Sequence, residues 1–112
     1  MRHLRLGDLP EIPVSHAPGI KKHVFATDIS CIRKISHAVF HPGDTARPHT
    51  HEDGWEIYYC AAGAAVFGIN GRDIELRDGD CLIVEPDDLH EIKEVRTRTE
   101  LFYFFAVKLP TA

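Results

Sequence analysis

The chain has no run of apolar residues approaching the ~20 that a membrane helix requires; its densest stretch, LFYFFAV at 101–107, has the length of one strand. No membrane partner is expected. Its three cysteines, Cys31, Cys60 and Cys81, are odd in number, widely spaced and without a CxxC pair, so neither a disulfide framework nor a zinc knuckle is indicated and all three read as small buried hydrophobes. There is no basic excess either. Thirteen Lys and Arg against seventeen Asp and Glu leave a formal charge of -4, which offers no general field to nucleic acid or an anionic membrane. The opening stretch MRHLRLGDLPEIPVSHAPG lacks the uninterrupted apolar core of a signal peptide, so a cytoplasmic location is expected. Helical periodicity is missing throughout.

What is present is a β-rich chain of 112 residues, 44% hydrophobic and 27% charged, which suits one folded domain. Residues 1–20 carry Pro10, Pro13 and Pro18 and are expected to form an extended arm with at most a short strand, covering an edge. Residues 21–112 are expected to form a single barrel domain. Its short apolar runs, HVFA, IRKISHAVF, WEIYYCAA, AVFGI, DIELR, CLIVE and LFYFFAV, are separated by Pro42-Gly43, Asp53-Gly54, Asn70-Gly71, Asp78-Gly79 and Pro86-Asp87-Asp88. Such spacing predicts an all-β antiparallel barrel or sandwich. The last run alternates Leu101, Tyr103, Phe105 and Val107 with Phe102, Phe104 and Ala106, so both of its faces are apolar. One lines the core; the other needs the arm or a second subunit, which makes a homodimer the expectation.

The chemistry concentrates in HPGDTARPHTHEDGWEIYYCAAG, residues 41–63. On a strand His49 and His51 point to one side. A two-residue hairpin loop at Asp53-Gly54 would place Glu52 opposite Trp55, His51 opposite Glu56 and His49 opposite Tyr58. His51 and Glu56 would then have Cβ atoms roughly 5 Å apart and reach one ion. Two imidazoles and a carboxylate suit a divalent transition metal, Fe, Mn, Ni, Co or Zn, and His90, after the turn EPDDLH, can supply a fourth ligand. Tyr58 and Cys60 fall on the inner face; Tyr58 is the candidate catalytic side chain and Cys60 a packing residue. His37 and His41 are candidate proton shuttles set against ordinary exposed histidines. Arg47, Trp55, Arg96 and Arg98 read as surface or packing residues, with Arg47 also facing the site side by parity.

The spacing Gly43, five residues, His49-x-His51, four residues, Glu56, six residues, Gly63 resembles the first motif of the cupin superfamily at every defined position. Gly79, Pro86 and His90 resemble the second. Asp87 stands where that motif usually has glycine, and Glu94 where it has asparagine. The resemblance covers roughly residues 20–108 and implies a double-stranded β-helix, or jelly roll, with His49, His51, Glu56 and His90 as metal ligands in a homodimer. It further implies a metal-dependent dioxygenase, or an isomerase or decarboxylase, acting on a small oxygen-rich molecule, with no other cofactor. A non-catalytic cupin that binds or senses a sugar-like ligand is the alternative, and a metal-free isomerase using His and Tyr as acid and base is a third.

Overall fold

The protein is described by a computed structural model covering residues 1–109; residues 110–112 of the expected domain lie outside the described residues. Turn chemistry sets the strand boundaries. Asn70 and Gly71 take φ values of 52° and 81°, the left-handed pair that a two-residue hairpin demands, and Ile69 faces Arg72 across it. The strands are β1 (Glu11–Pro13), β2 (Lys21–Ala26), β3 (Ile32–Phe40), β4 (Ala46–His49), β5 (Gly54–Ala62), β6 (Ala64–Ile69), β7 (Arg72–Arg77), β8 (Cys81–Val84), β9 (His90–Val95) and β10 (Thr99–Val107). They build a six-stranded sheet in the order β1-β2-β3-β10-β5-β8 and a four-stranded sheet in the order β4-β9-β6-β7. All ladders are antiparallel, and the expected jelly roll is the fold observed.

The core lies between the inner faces of the two sheets. Leu101, Tyr103 and Phe105 of β10 alternate inward beside Tyr58 and Cys60 of β5, and Phe67, Leu76 and Ile92 come from the opposite sheet. Phe67 and Leu101 are wholly buried; each contributes roughly 1.5–3 kcal/mol relative to an exposed position. The arm adds β1 to the edge of β2 and sinks Val14, Ala17 and Ile20 into the core. A ladder bond from Val14 N to Ile20 O (2.9 Å) closes its loop. It covers the edge rather than the outer face of β10, where Phe102 and Phe104 stay half-buried and Tyr59 and Ile83 of the same sheet are exposed.

Two expectations are corrected here. Asp53-Gly54 is not a hairpin loop: His49 pairs with His90, while Glu56 pairs with Val84 and Phe105 and Tyr58 with Leu82 and Tyr103. Residues 50–53 cross from one sheet to the other. The reason lies in Gly54, whose φ is not positive; a Cβ there would collide with the backbone oxygen of Ala106 and the Phe105 ring. Glycine is required for the close approach of β10, not for a tight turn. The crossing is pinned on both sides, with Asp87 N donating to His51 O and Lys108 N to Asp53 O, each at 2.7 Å. Of the cysteines, Cys60 is buried as expected, whereas Cys31 and Cys81 are exposed. Cys31 sits at φ 69° in the turn before β3, and Cys81 faces outward at the start of the edge strand β8.

Candidate metal centre

The β4/β9 ladder makes His49 and His90 direct cross-strand partners, and His51 follows two residues later on the crossing segment with its ring 5.0 Å from that of Phe105. Ring centroids lie 4.0 Å apart for His49 and His90, 5.1 Å for His49 and His51, and 5.4 Å for His51 and His90. One ligating nitrogen from each lies within 4.8 Å of the others.

The tautomers of two of these rings follow from their partners. His49 Nδ1 sits 2.9 Å from the carbonyl of Arg47, and His90 Nδ1 2.9 Å from the carbonyl of Asp88. A carbonyl only accepts, so each Nδ1 carries the proton and each Nε2 presents a lone pair. Both Nε2 atoms are shut off from solvent and have no hydrogen-bond partner. Burial pushes His90 down to about 4, with His49 and His51 adding to it against the Asp88 bond. His51 is lowered too, first by burial and then by His49. Neutral imidazoles with converging, unsatisfied lone pairs fit a divalent first-row ion, and leave two buried acceptors uncompensated without one.

The turn before His90 is well braced. Asp88 accepts from Glu85 N (2.9 Å) and from Asn70 Nδ2 (2.8 Å), and Asn70 Oδ1 takes the N–H of Leu89 (2.8 Å). Asn70 of the β6–β7 hairpin therefore holds the loop that carries His90. Asp87 adopts φ 70°, the conformation the motif's glycine would supply, so the turn survives the substitution at some backbone cost.

Glu56 comes from the other sheet. It is 8% exposed, and burial raises its pKa to about 7 against the Tyr58 hydrogen bond. Tyr58 donates its hydroxyl to Oε1 at 3.2 Å, leaving Oε2 for another partner. Glu56 and His51 share the wall of a cavity of about 160 Å³, together with His16, Lys22, Ser36 and Tyr103. Among the described residues the group of close ligand atoms comprises the three histidines, with Glu56 on the neighbouring wall. Tyr58 is buried behind Glu56, its ring 5.4 Å from Tyr103 and 5.2 Å from Phe67.

Sequence reasoning passed over His16 and Lys22. His16 rides on the arm, its ring 4.2 Å from that of His49 and its carbonyl bonded to Arg47 N at 3.0 Å. Burial, then His49, lowers it to about 4. Its sequence signal was the three-residue spacing of Val14, Ala17 and Ile20, which docks the arm. Lys22 pairs with Ala38 and shares the inner face of β2 with Val24, a parity visible in KKHVFA. His37 lies elsewhere, on the outer face with Nε2 2.7 Å from Glu100, and His41 is exposed. Arg47 serves through its backbone while its side chain is exposed. Trp55 is half-buried opposite Ala106 on β10. Arg96 and Arg98 fall in the link between β9 and β10 rather than on a strand, 3.7 Å from Glu75 and 3.8 Å from Glu100.

The family description "Cupin domain" matches residues 36–106. An oxalate-binding protein of Thermotoga maritima is 36% identical over 52 residues, a segment that is 46% of this chain and 43% of that protein. The chain thus matches less than half the length of that relative. Among solved structures, a predicted oxalate decarboxylase of Thermotoga maritima superposes with a TM-score of 0.85 at 22% identity, covering 96% of this chain and all of that one. KdgF of a Halomonas species gives 0.77 at 20% identity over 92% and 90%. The polyketide cyclase RemF of Streptomyces resistomycificus gives 0.80 at 18% identity over 96% and 79%. At these identities the structures share the fold.

Proposed function

Because this chain belongs to the cupin-domain family, we propose that it is a metal-dependent enzyme, a dioxygenase or an isomerase or decarboxylase, acting on a small oxygen-rich molecule. His49, His51 and His90 hold a divalent first-row ion, and Glu56 supplies a fourth donor through Oε2. The observation that carries this reading is the pair of buried, partnerless Nε2 atoms whose rings are locked by backbone carbonyls. When bound, such an ion supplies Lewis-acid or redox chemistry.

The chain's own side chains define the rest of the site. Tyr58 positions Glu56 by its hydrogen bond, which makes it a positioning residue acting through the carboxylate. Without the ion, burial raises Glu56 to about 7, so its recruitment as a ligand releases a proton near neutrality. His16 roofs the site from the arm, and Phe105 closes it against His51. A cytoplasmic homodimer, joined through the half-covered outer face of β10 and β5, completes this reading.

Elemental analysis of freshly purified protein and of His49→Ala and His90→Ala, alongside oxygen uptake and product analysis on a panel of hydroxy acids, diketones and sugar phosphates, tests it. Stoichiometric metal in wild type, lost in both variants, together with turnover is the expected result. Equal trace metal in all three would overturn the assignment. The second reading, a non-catalytic binding protein, is favoured by the match to an oxalate-binding protein; saturable binding without turnover would select it.

A further inference from the structure

The inner face of β2 carries a lysine where a jelly roll ordinarily places an apolar residue. Lys22 stands in register with Ala38, which is 1% exposed, and so points toward the barrel interior. It is half-buried, and burial lowers its pKa. Among the described residues no carboxylate lies within ion-pair distance of it. Its Nζ is 6.0 Å from the centroid of the Tyr103 ring. On the neighbouring strand Ser36, opposite Val24 and also 1% exposed, keeps a buried hydroxyl without a partner. Both residues line the cavity that His51 and Glu56 share.

A half-buried ammonium and a buried, partnerless hydroxyl thus face a cavity whose other wall carries His16, His51 and Glu56. A buried hydroxyl without a partner is costly, and an ammonium half withdrawn from water attracts an anion more strongly than one in bulk solvent. At about 160 Å³ the cavity holds about five water volumes of ~30 Å³ each, room for a small organic anion. We propose that Lys22 and Ser36 form a carboxylate-anchoring subsite, so that the ligand of this site is a small anion with oxygens at both ends, one end at the histidine centre and the other at the ammonium and hydroxyl. This rests on the reading of His49, His51 and His90 as a metal centre.

The test uses manganese-loaded full-length protein, its metal content measured for every variant, and calorimetric titration with oxalate and with oxamate. Oxamate keeps the six-atom skeleton but replaces one carboxylate by an amide. Wild type should bind oxalate at least tenfold more tightly than oxamate. Lys22→Met, which suits an apolar inner face, should retain full metal, bind oxalate at least tenfold more weakly than wild type does, and lose the preference between the two probes. Lys22→Arg should recover most of it, and Ser36→Ala should weaken oxalate binding severalfold. Unchanged oxalate affinity and preference in metal-replete Lys22→Met and Lys22→Arg would overturn the subsite while leaving the metal centre standing. A wild type that retains no manganese would overturn the centre and the subsite with it.

Discussion

Replacing Glu56 by glutamine should make the metal-free protein more stable at pH 8 and leave it nearly unchanged at pH 4. Burial holds the Glu56 carboxyl neutral up to about 7, from an ordinary value of 4.5. Each factor of ten in proton affinity is worth about 1.4 kcal/mol, so the folded protein favours the protonated form by roughly 3 kcal/mol. A carboxyl raised on folding contributes stability that is fully present below pH 4.5 and lost as pH climbs through about 7. Glutamine stays neutral and can still accept the Tyr58 hydroxyl through Oε1. At pH 8 the variant should therefore exceed wild type by about 2–3 kcal/mol, part of the gain being offset by the new amide N–H₂. His16 and His90, both lowered to about 4, act oppositely: their stabilisation is present above 6.5 and lost as pH falls through about 4. They are common to both proteins and cancel in the difference. Urea denaturation of chelator-stripped wild type and Glu56→Gln at pH 4, 6 and 8 measures it. A difference that stays flat across that range, or favours wild type at pH 8, would refute the placement of Glu56 in a desolvated wall.

Three further outcomes follow from the geometry. Asp87→Gly relieves a left-handed residue at φ 70° and should gain about 0.5–1 kcal/mol in urea denaturation without altering metal content. Gly54→Ala drives a methyl into the Ala106 backbone and the Phe105 ring; it should cost about 3 kcal/mol or more by the same assay and splay the crossing segment that carries His51. Tyr58→Phe removes the donor to Glu56 Oε1 and should cost about 1 kcal/mol. It should also raise the Glu56 pKa further, visible as an upward displacement of its carboxyl resonance titration in carbon-13 spectra of metal-free protein.

Much of the barrel was legible because strand signals are local. Alternation in WEIYYCAA and LFYFFAV marks β5 and β10, and Asn70-Gly71 marks a hairpin whose left-handed pair the structure adopts. The spacing of His49, His51 and His90 was equally readable, and those three rings do converge. The pairing of β4 was not. A glycine after an aspartate serves a two-residue turn or a close backbone approach equally well, and only the position of Ala106, more than fifty residues away, distinguishes them at Gly54. The same limit explains why His16 escaped notice: the spacing of Val14, Ala17 and Ile20 marks an arm that docks, but its place over His49 depends on a strand far along the chain.

Residue order alone thus settled most of the strands, the reversal at Asn70-Gly71, and which side chains carry ligand chemistry, since each depends on neighbours a few positions apart. Which sheet each strand joins was settled in three dimensions. So were the wall that receives Glu56, the inward lysine of β2 and the histidine that roofs the site, because long-range packing and excluded volume act between residues that sequence distance keeps apart.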